Sequence, residues 1–207
     1  MDNKRTAPRE AAERLSGDAF SAHALLVLSG HRKRATRLVH LCTSHGMVST
    51  LLFLAHTLTA APLPALLTLL WLYYAAFSRG RLVLATWSVA CTACAASLYF
   101  ARVAAAQRPL ATNLCAFLAF GLPEHFSHAL FGDGDRNLVT RHCRSGLDKV
   151  RGILFLVVLP SPLCFWHLLA SDIRLGGVSA PPMAELQARA STLLRQVDEV
   201  TLSEQNE

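Results

Sequence analysis

The chain has 207 residues, 52% hydrophobic and only 16% charged, with a formal net charge of +6. Soluble domains carry about 25% charged residues, and here the charge is patchy: Leu41–Phe77 holds no Asp, Glu, Lys or Arg, and neither do Leu82–Ala101 and Gly152–Ser171. Apolar runs of about 20 residues are what a bilayer core requires. A soluble globular fold is therefore excluded, and the basic surplus, which flanks these runs without a binding module, points to membrane orientation and to no nucleic acid.

Residues 1–22 read as a polar leader, flexible or partly helical. The opening MDNKRTAPREAAERLSGD is too polar for a cleaved signal peptide, so an internal segment is expected to act as signal anchor. Residues 23–40 read as a short amphipathic approach, AHALLVLSG followed by HRKRATRLVH. The first hydrophobic segment runs from about 43 to 60 and ends at Ala60-Ala61-Pro62-Leu63-Pro64, because proline breaks helices. The second covers about 63–78, up to Arg79-Gly80-Arg81, and the third about 82–104. The fourth covers about 109–131, with Pro123 near its end. A polar loop, 132–151, opens with the turn residues Gly132, Asp133, Gly134 and Asp135. The fifth segment, 152–171, is interrupted by Pro160-Ser161-Pro162, so it either crosses or dips and returns. In the tail, Met183, Leu186, Ala190, Leu193, Leu194, Val197 and Val200 recur at spacings of three and four, the pattern of an amphipathic helix. Such a helix packs on the membrane interface or on its own domain. The terminal SEQNE matches no retrieval signal.

The expected fold is therefore all-α, a polytopic membrane protein with four to five hydrophobic helices and a C-terminal amphipathic helix. Its parts are a polar leader (1–22), a membrane domain (23–171) and a polar tail (172–207). Alternating spans place three basic clusters on one side: Arg32, Lys33, Arg34 and Arg37; Arg79 and Arg81; and Arg136, Arg141, Arg144, Lys149 and Arg151. That side should be cytoplasmic. The six cysteines lie mostly within apolar runs and read as small packing residues; Cys91 and Cys94 form a lone C-x-x-C, too few ligands for structural zinc.

Nine histidines exceed what packing needs, and ionisable residues in or near spans mark functional sites. Pro-Glu-His-Phe-Ser-His, residues 123–128, is the sharpest group. On a helix Glu124, His125 and His128 share a sector, since neighbours lie three and four apart. Two imidazoles and a carboxylate are the ligand set of non-haem Fe(II) oxygenases. The same residues also fit a capped helix end with hydrogen-bonded histidines. The second group is His31 to His40. Nine residues along one helix put these histidines on opposite faces, so they converge only if the helix starts after His31, a break that Gly30 permits. Arg37 and His40 share a face, and an arginine beside a metal could hold a substrate carboxylate in its fork. His167, with no histidine or carboxylate at i+3 or i+4, reads as a packing residue with a hydrogen bond.

These motifs carry a resemblance. A histidine, a basic linker and a second histidine before the first span, with Arg37 three residues ahead of His40, resemble the start of the yeast-type 2-hydroxy-fatty-acid dioxygenases, a family of small polytopic endoplasmic reticulum membrane proteins. Its members carry, about a hundred residues later, a glycine–histidine, an aromatic and a glutamate, then Arg-Pro-Ala. The matching place is Phe126-Ser127-His128-Ala129-Leu130-Phe131, and the likeness covers roughly residues 23–171. The chain departs at Ser127 for the glycine, at Gly132 for the glutamate, and at Asn137-Leu138 after Arg136. The resemblance implies Fe2+-dependent α-oxidation of a 2-hydroxy fatty acid by oxygen, giving an acid one carbon shorter. It implies His31, His40, His128 and His125 as metal ligands, Glu124 as ligand or orienter, and Arg37 or Arg34 as partner of the head group. The other reading is a non-enzymatic membrane-shaping protein, since the surroundings of Ser29-Gly30-His31-Arg32-Lys33 resemble the peroxisomal proliferation peroxins, which insert an amphipathic helix into one leaflet.

Overall fold

The computed structural model describes residues 7–79, 81–133, 158–173 and 180–205. Among them every regular element is a helix: α1 (Ala7–Ser16), α2 (Ala19–Gly30), α3 (Arg34–Thr59), α4 (Leu63–Phe77), α5 (Leu82–Ala104), α6 (Pro109–Phe131), α7 (Ser161–Ile173) and α8 (Met183–Gln205). The 132–151 loop beyond Asp133, with Cys143 and its basic residues, lies outside the described residues, as does the start of the fifth segment.

Local chemistry sets the boundaries. Gly17 takes the left-handed conformation (φ 78°) that lets α1 turn into α2. Asp18 then caps α2, accepting from the Ser21 N–H at 2.8 Å and its hydroxyl at 2.7 Å. Pro62 precedes α4 and Pro64 lies in its first turn, where no N–H is needed. Gly132, at φ 65°, ends α6.

Among the described residues three helices are long and apolar enough to cross a membrane: α3, α5 and α6. Large apolar side chains on their outer faces, among them Trp87, Leu98, Leu114, Leu118 and Leu130, are exposed. A soluble monomer rarely carries such a surface; a bilayer would cover it. The first of these helices starts at Arg34, nine residues before the expected start near 43, because a helix continues past its apolar core into a charged turn. Contacts between α3 and α5 ascend together, from His45 with Thr92 to His56 with Phe100, so these helices are parallel. Helix α4 returns the chain between them. Its 15 residues span about 22 Å, short of a core of about 30 Å. Helices α6 and α7 run antiparallel to α3, as His40 meets Glu124 where Gly46 meets Phe120, and Arg37 meets Asp172 where His45 meets Trp166.

Residues 23–40 are not an amphipathic approach. Helix α2 is buried from Phe20 along its length, except for half-buried Ser21, and forms the centre of the core with α7 and α8. It is apolar on all sides, which suits a helix enclosed by others. Helix α8 packs Leu186, Ala190, Leu193, Leu194 and Val197 into this core against α1 and α2. Of the cysteines described, only Cys164 is buried; Cys42, Cys94 and Cys115 are exposed and do not pack the interior.

Candidate metal centre

His31, His40 and His128 come together at one end of the bundle, although 97 residues separate the outermost pair. The helix break that this requires is present. Helix α2 stops at Gly30, His31 leaves the helical conformation (φ −131°, ψ 58°), and α3 restarts at Arg34. His40 lies two turns into α3 and is 3% exposed. His128 sits in the last turn of α6, which Gly132 terminates; the Asp133 N–H donates to the His128 carbonyl at 3.0 Å. The ring centres of His31 and His40 lie 4.3 Å apart, and that of His128 lies 4.7 and 5.0 Å from them. Phe165 of α7 closes one side, with its ring 5.2 Å from His31 and 5.3 Å from His40.

Hydrogen bonds assign the ring protons. His31 Nδ1 stands 2.6 Å from the Val27 carbonyl, and His40 Nε2 stands 3.1 Å from the Glu124 carbonyl and 3.1 Å from Ser127 Oγ. Carbonyls only accept, so these outer nitrogens carry the protons. The inner nitrogens, His31 Nε2 and His40 Nδ1, then point lone pairs at each other across 3.2 Å. Glu124 Oε1 is 2.9 Å from the same His40 Nδ1, adding a third acceptor. Such a convergence of electron pairs is repulsive unless a metal cation, or a second proton on His40 Nδ1 donated to Glu124 Oε1, lies among them.

The donor set fits a transition metal. One nitrogen from each of the three histidines lies within 4.8 Å of the others. Two nitrogens about 2.1 Å from one ion, at an angle of about 100°, stand about 3.2 Å apart, the separation of the His31–His40 pair. Metal-bound histidines usually donate their other N–H to a carbonyl or carboxylate, as both rings do here. Glu124 Oε2 is buried without a hydrogen-bond partner among the described residues, so a second carboxylate oxygen is available. Burial pushes the His31 pKa well below the usual histidine range, helped by neighbouring His40 and only partly opposed by the Val27 bond. A neutral imidazole is the form that binds metal. Imidazoles suit zinc, copper, iron and nickel alike.

Other expected residues stand elsewhere or in other roles. His125 lies on α6, but its side chain is outside the described residues. Arg37 does not offer an open fork to a carboxylate. Its Nη2 donates to both oxygens of Asp172 at 3.0 and 2.7 Å, and its Nη1 donates to the carbonyls of His31 at 3.2 Å and Arg32 at 2.6 Å. His45 is tied into the helix packing, with Nδ1 2.9 Å from Thr92 Oγ1 and Nε2 accepting from Trp166 Nε1 at 3.0 Å. His167 is fully buried against Phe20, but among the described residues neither ring nitrogen has a hydrogen-bond partner, so the expected hydrogen bond is not found there. Sequence reading missed Asp172, Asp133 and Phe165. Their partners lie 100 residues or more away, and no local spacing marks them.

No family model matches the chain, and neither the characterised proteins nor the solved structures include a match.

Proposed function

We propose that the protein is a membrane Fe2+-dependent dioxygenase that oxidises 2-hydroxy fatty acids. The observation that carries this reading is the convergence of His31 Nε2, His40 Nδ1 and Glu124 Oε1, with His128 beside them, in a spacing that a metal cation would fill. His31, His40 and His128 would hold the ion, with Glu124 as fourth ligand or orienter. An iron ion bound there would supply Lewis-acid binding of a 2-hydroxycarboxylate and redox reactivity toward oxygen. The motif resemblance, spread over residues 31–131, selects iron and this substrate class.

The remaining work falls to the chain. The Val27 and Glu124 carbonyls hold the imidazoles in one tautomer, and Phe165 keeps water from one side. Ser127, buried, donates to the Glu124 carbonyl at 2.8 Å and fixes the turn between Glu124 and His128. The exposed apolar faces of α5 and α6 suit an acyl chain arriving from the bilayer. In the balanced reaction the 2-hydroxy acid gives up four electrons to one O2, and the products are the acid one carbon shorter, carbon dioxide and water. We place the protein in the endoplasmic reticulum membrane as a multi-pass protein, with short α4 as a fourth crossing because parallel α3 and α5 require the chain to return between them, and with the metal centre on the cytoplasmic side, beside Arg32, Lys33 and Arg34. A membrane-shaping role has less support: the segment before His31 is buried in the core, and α8 turns its apolar face onto α1 and α2.

The test is iron content and turnover of purified full-length protein with 2-hydroxyhexadecanoate, read by mass spectrometry. Wild type is expected to retain iron and yield the fifteen-carbon acid, and His128→Ala to lose both. Equal iron and turnover in the two proteins would remove the proposal.

A further inference from the structure

We propose that Asp172 is a positioning residue of the metal centre, acting through Arg37 on the backbone of His31. The inference rests on the metal reading above and adds what orients its first ligand.

His31 belongs to no helix, so the direction of its ring depends on the three-residue turn between α2 and α3. Two carboxylates from distant parts of the chain hold that turn. Asp133, just past the end of α6, accepts the Lys33 N–H on both oxygens at 3.1 and 3.0 Å. Asp172, near the end of α7, acts through a relay. It takes Nη2 of Arg37, and Nη1 of the same guanidinium grips the His31 and Arg32 carbonyls. The planar guanidinium makes both grips at once, which an ammonium cannot do.

Burial makes the relay depend on charge. Arg37 is 5% exposed and Asp172 11%. A buried guanidinium that loses its counter-ion turns toward water, and Arg37 would then release the two carbonyls. The His31 backbone would lose that grip, leaving its ring to the Val27 bond and the turn to the Asp133–Lys33 bonds. The same helix α7 carries Phe165, which walls His31 and His40, so Asp172 also fixes the height of that wall. Partners of metal-bound groups commonly change metal affinity by about 10- to 100-fold.

The probe is Co2+, titrated into full-length detergent-purified protein and followed by its visible absorption. Asp172→Asn is expected to weaken Co2+ binding at least tenfold and to alter the absorption bands, with helical content retained. Arg37→Lys separates positioning from a plain structural link. It keeps an ion pair with Asp172, and so most of the thermal stability, but it cannot also span the two carbonyls. Weakened Co2+ binding at a near-wild-type unfolding midpoint supports positioning. Wild-type affinity and spectrum in either variant overturns it. If wild-type protein binds no Co2+, or His128→Ala binds it equally well, the metal reading itself fails.

Discussion

At Gly46 the Phe120 side chain of α6 lies directly against the backbone of α3. A Cβ built there would stand 2.5 Å from Cδ1 and Cε1 of Phe120 and 2.7 Å from Cγ. Carbon atoms in ordinary contact lie about 3.5–4.0 Å apart, so Gly46→Ala requires about 1 Å of relief. Spinning the Phe120 ring does not clear Cγ, which lies at its root. Either the side chain leaves its rotamer or α6 moves away from α3. Overpacking of this kind costs about 1–3 kcal/mol, while replacing glycine by alanine inside a helix gains roughly 0.5–1 kcal/mol. The expected balance is a net loss of up to about 2.5 kcal/mol. His128 lies eight residues beyond Phe120 on the same helix, so a shift of α6 also carries it away from His40. Metal sites tolerate displacements of only about 0.2 Å. Thermal unfolding followed by circular dichroism should show a lower midpoint for Gly46→Ala, and Co2+ titration a loss of at least tenfold. Gly46→Ala/Phe120→Ala should recover much of the metal binding, because the obstructing ring is gone. Gly46→Ala with wild-type stability and unchanged Co2+ affinity would refute this account of how α6 is seated.

Trp166→Phe removes the donor to His45 Nε2, leaving a buried acceptor unsatisfied, and should destabilise the fold by about 1–3 kcal/mol in denaturation, without changing metal stoichiometry. The metal-free protein should lose stability as pH falls below about 6.5. The unfolded His31 takes up a proton there while the folded ring stays neutral, so the unfolded state binds more protons and acid favours it. The slope from this one group is at most about 1.4 kcal/mol per pH unit, and His31→Gln should reduce the measured slope between pH 7.5 and 5.5; an unchanged slope would exclude His31 as its source.

The sequence revealed the helical class, the ends of α4, α5 and α6, and the break after Gly30, because these depend on local signals such as uncharged runs, prolines and glycines. It misjudged α2. AFSAHALLVLSG is apolar on every side, the signature of an enclosed helix, but its twelve residues were too few to read as a span. It set the start of α3 too late, because counting uncharged residues passes over the charged first turn from Arg34. His31, His40 and His128 could be picked out through spacing and resemblance. Arg37 could be placed beside them, but its partner could not: Asp172 is 135 residues away, and a long-range ion pair leaves no trace in periodicity. The lone pairs of the two histidines likewise depend on the Val27 and Glu124 carbonyls, which are backbone atoms and invisible to residue type.

The scattering of the centre along the chain also sets a timetable. A ribosome adding about 5–20 residues per second needs roughly 5–20 seconds to travel the 97 residues from His31 to His128, and a few seconds more to reach Asp172. During that interval the nascent chain carries His31 and His40 without their third partner and without the carboxylate that steadies them. Two imidazoles alone hold metal poorly and select little among ions. If the centre holds a metal, the choice of ion would be deferred until α7 has docked, and loading would mark finished assembly.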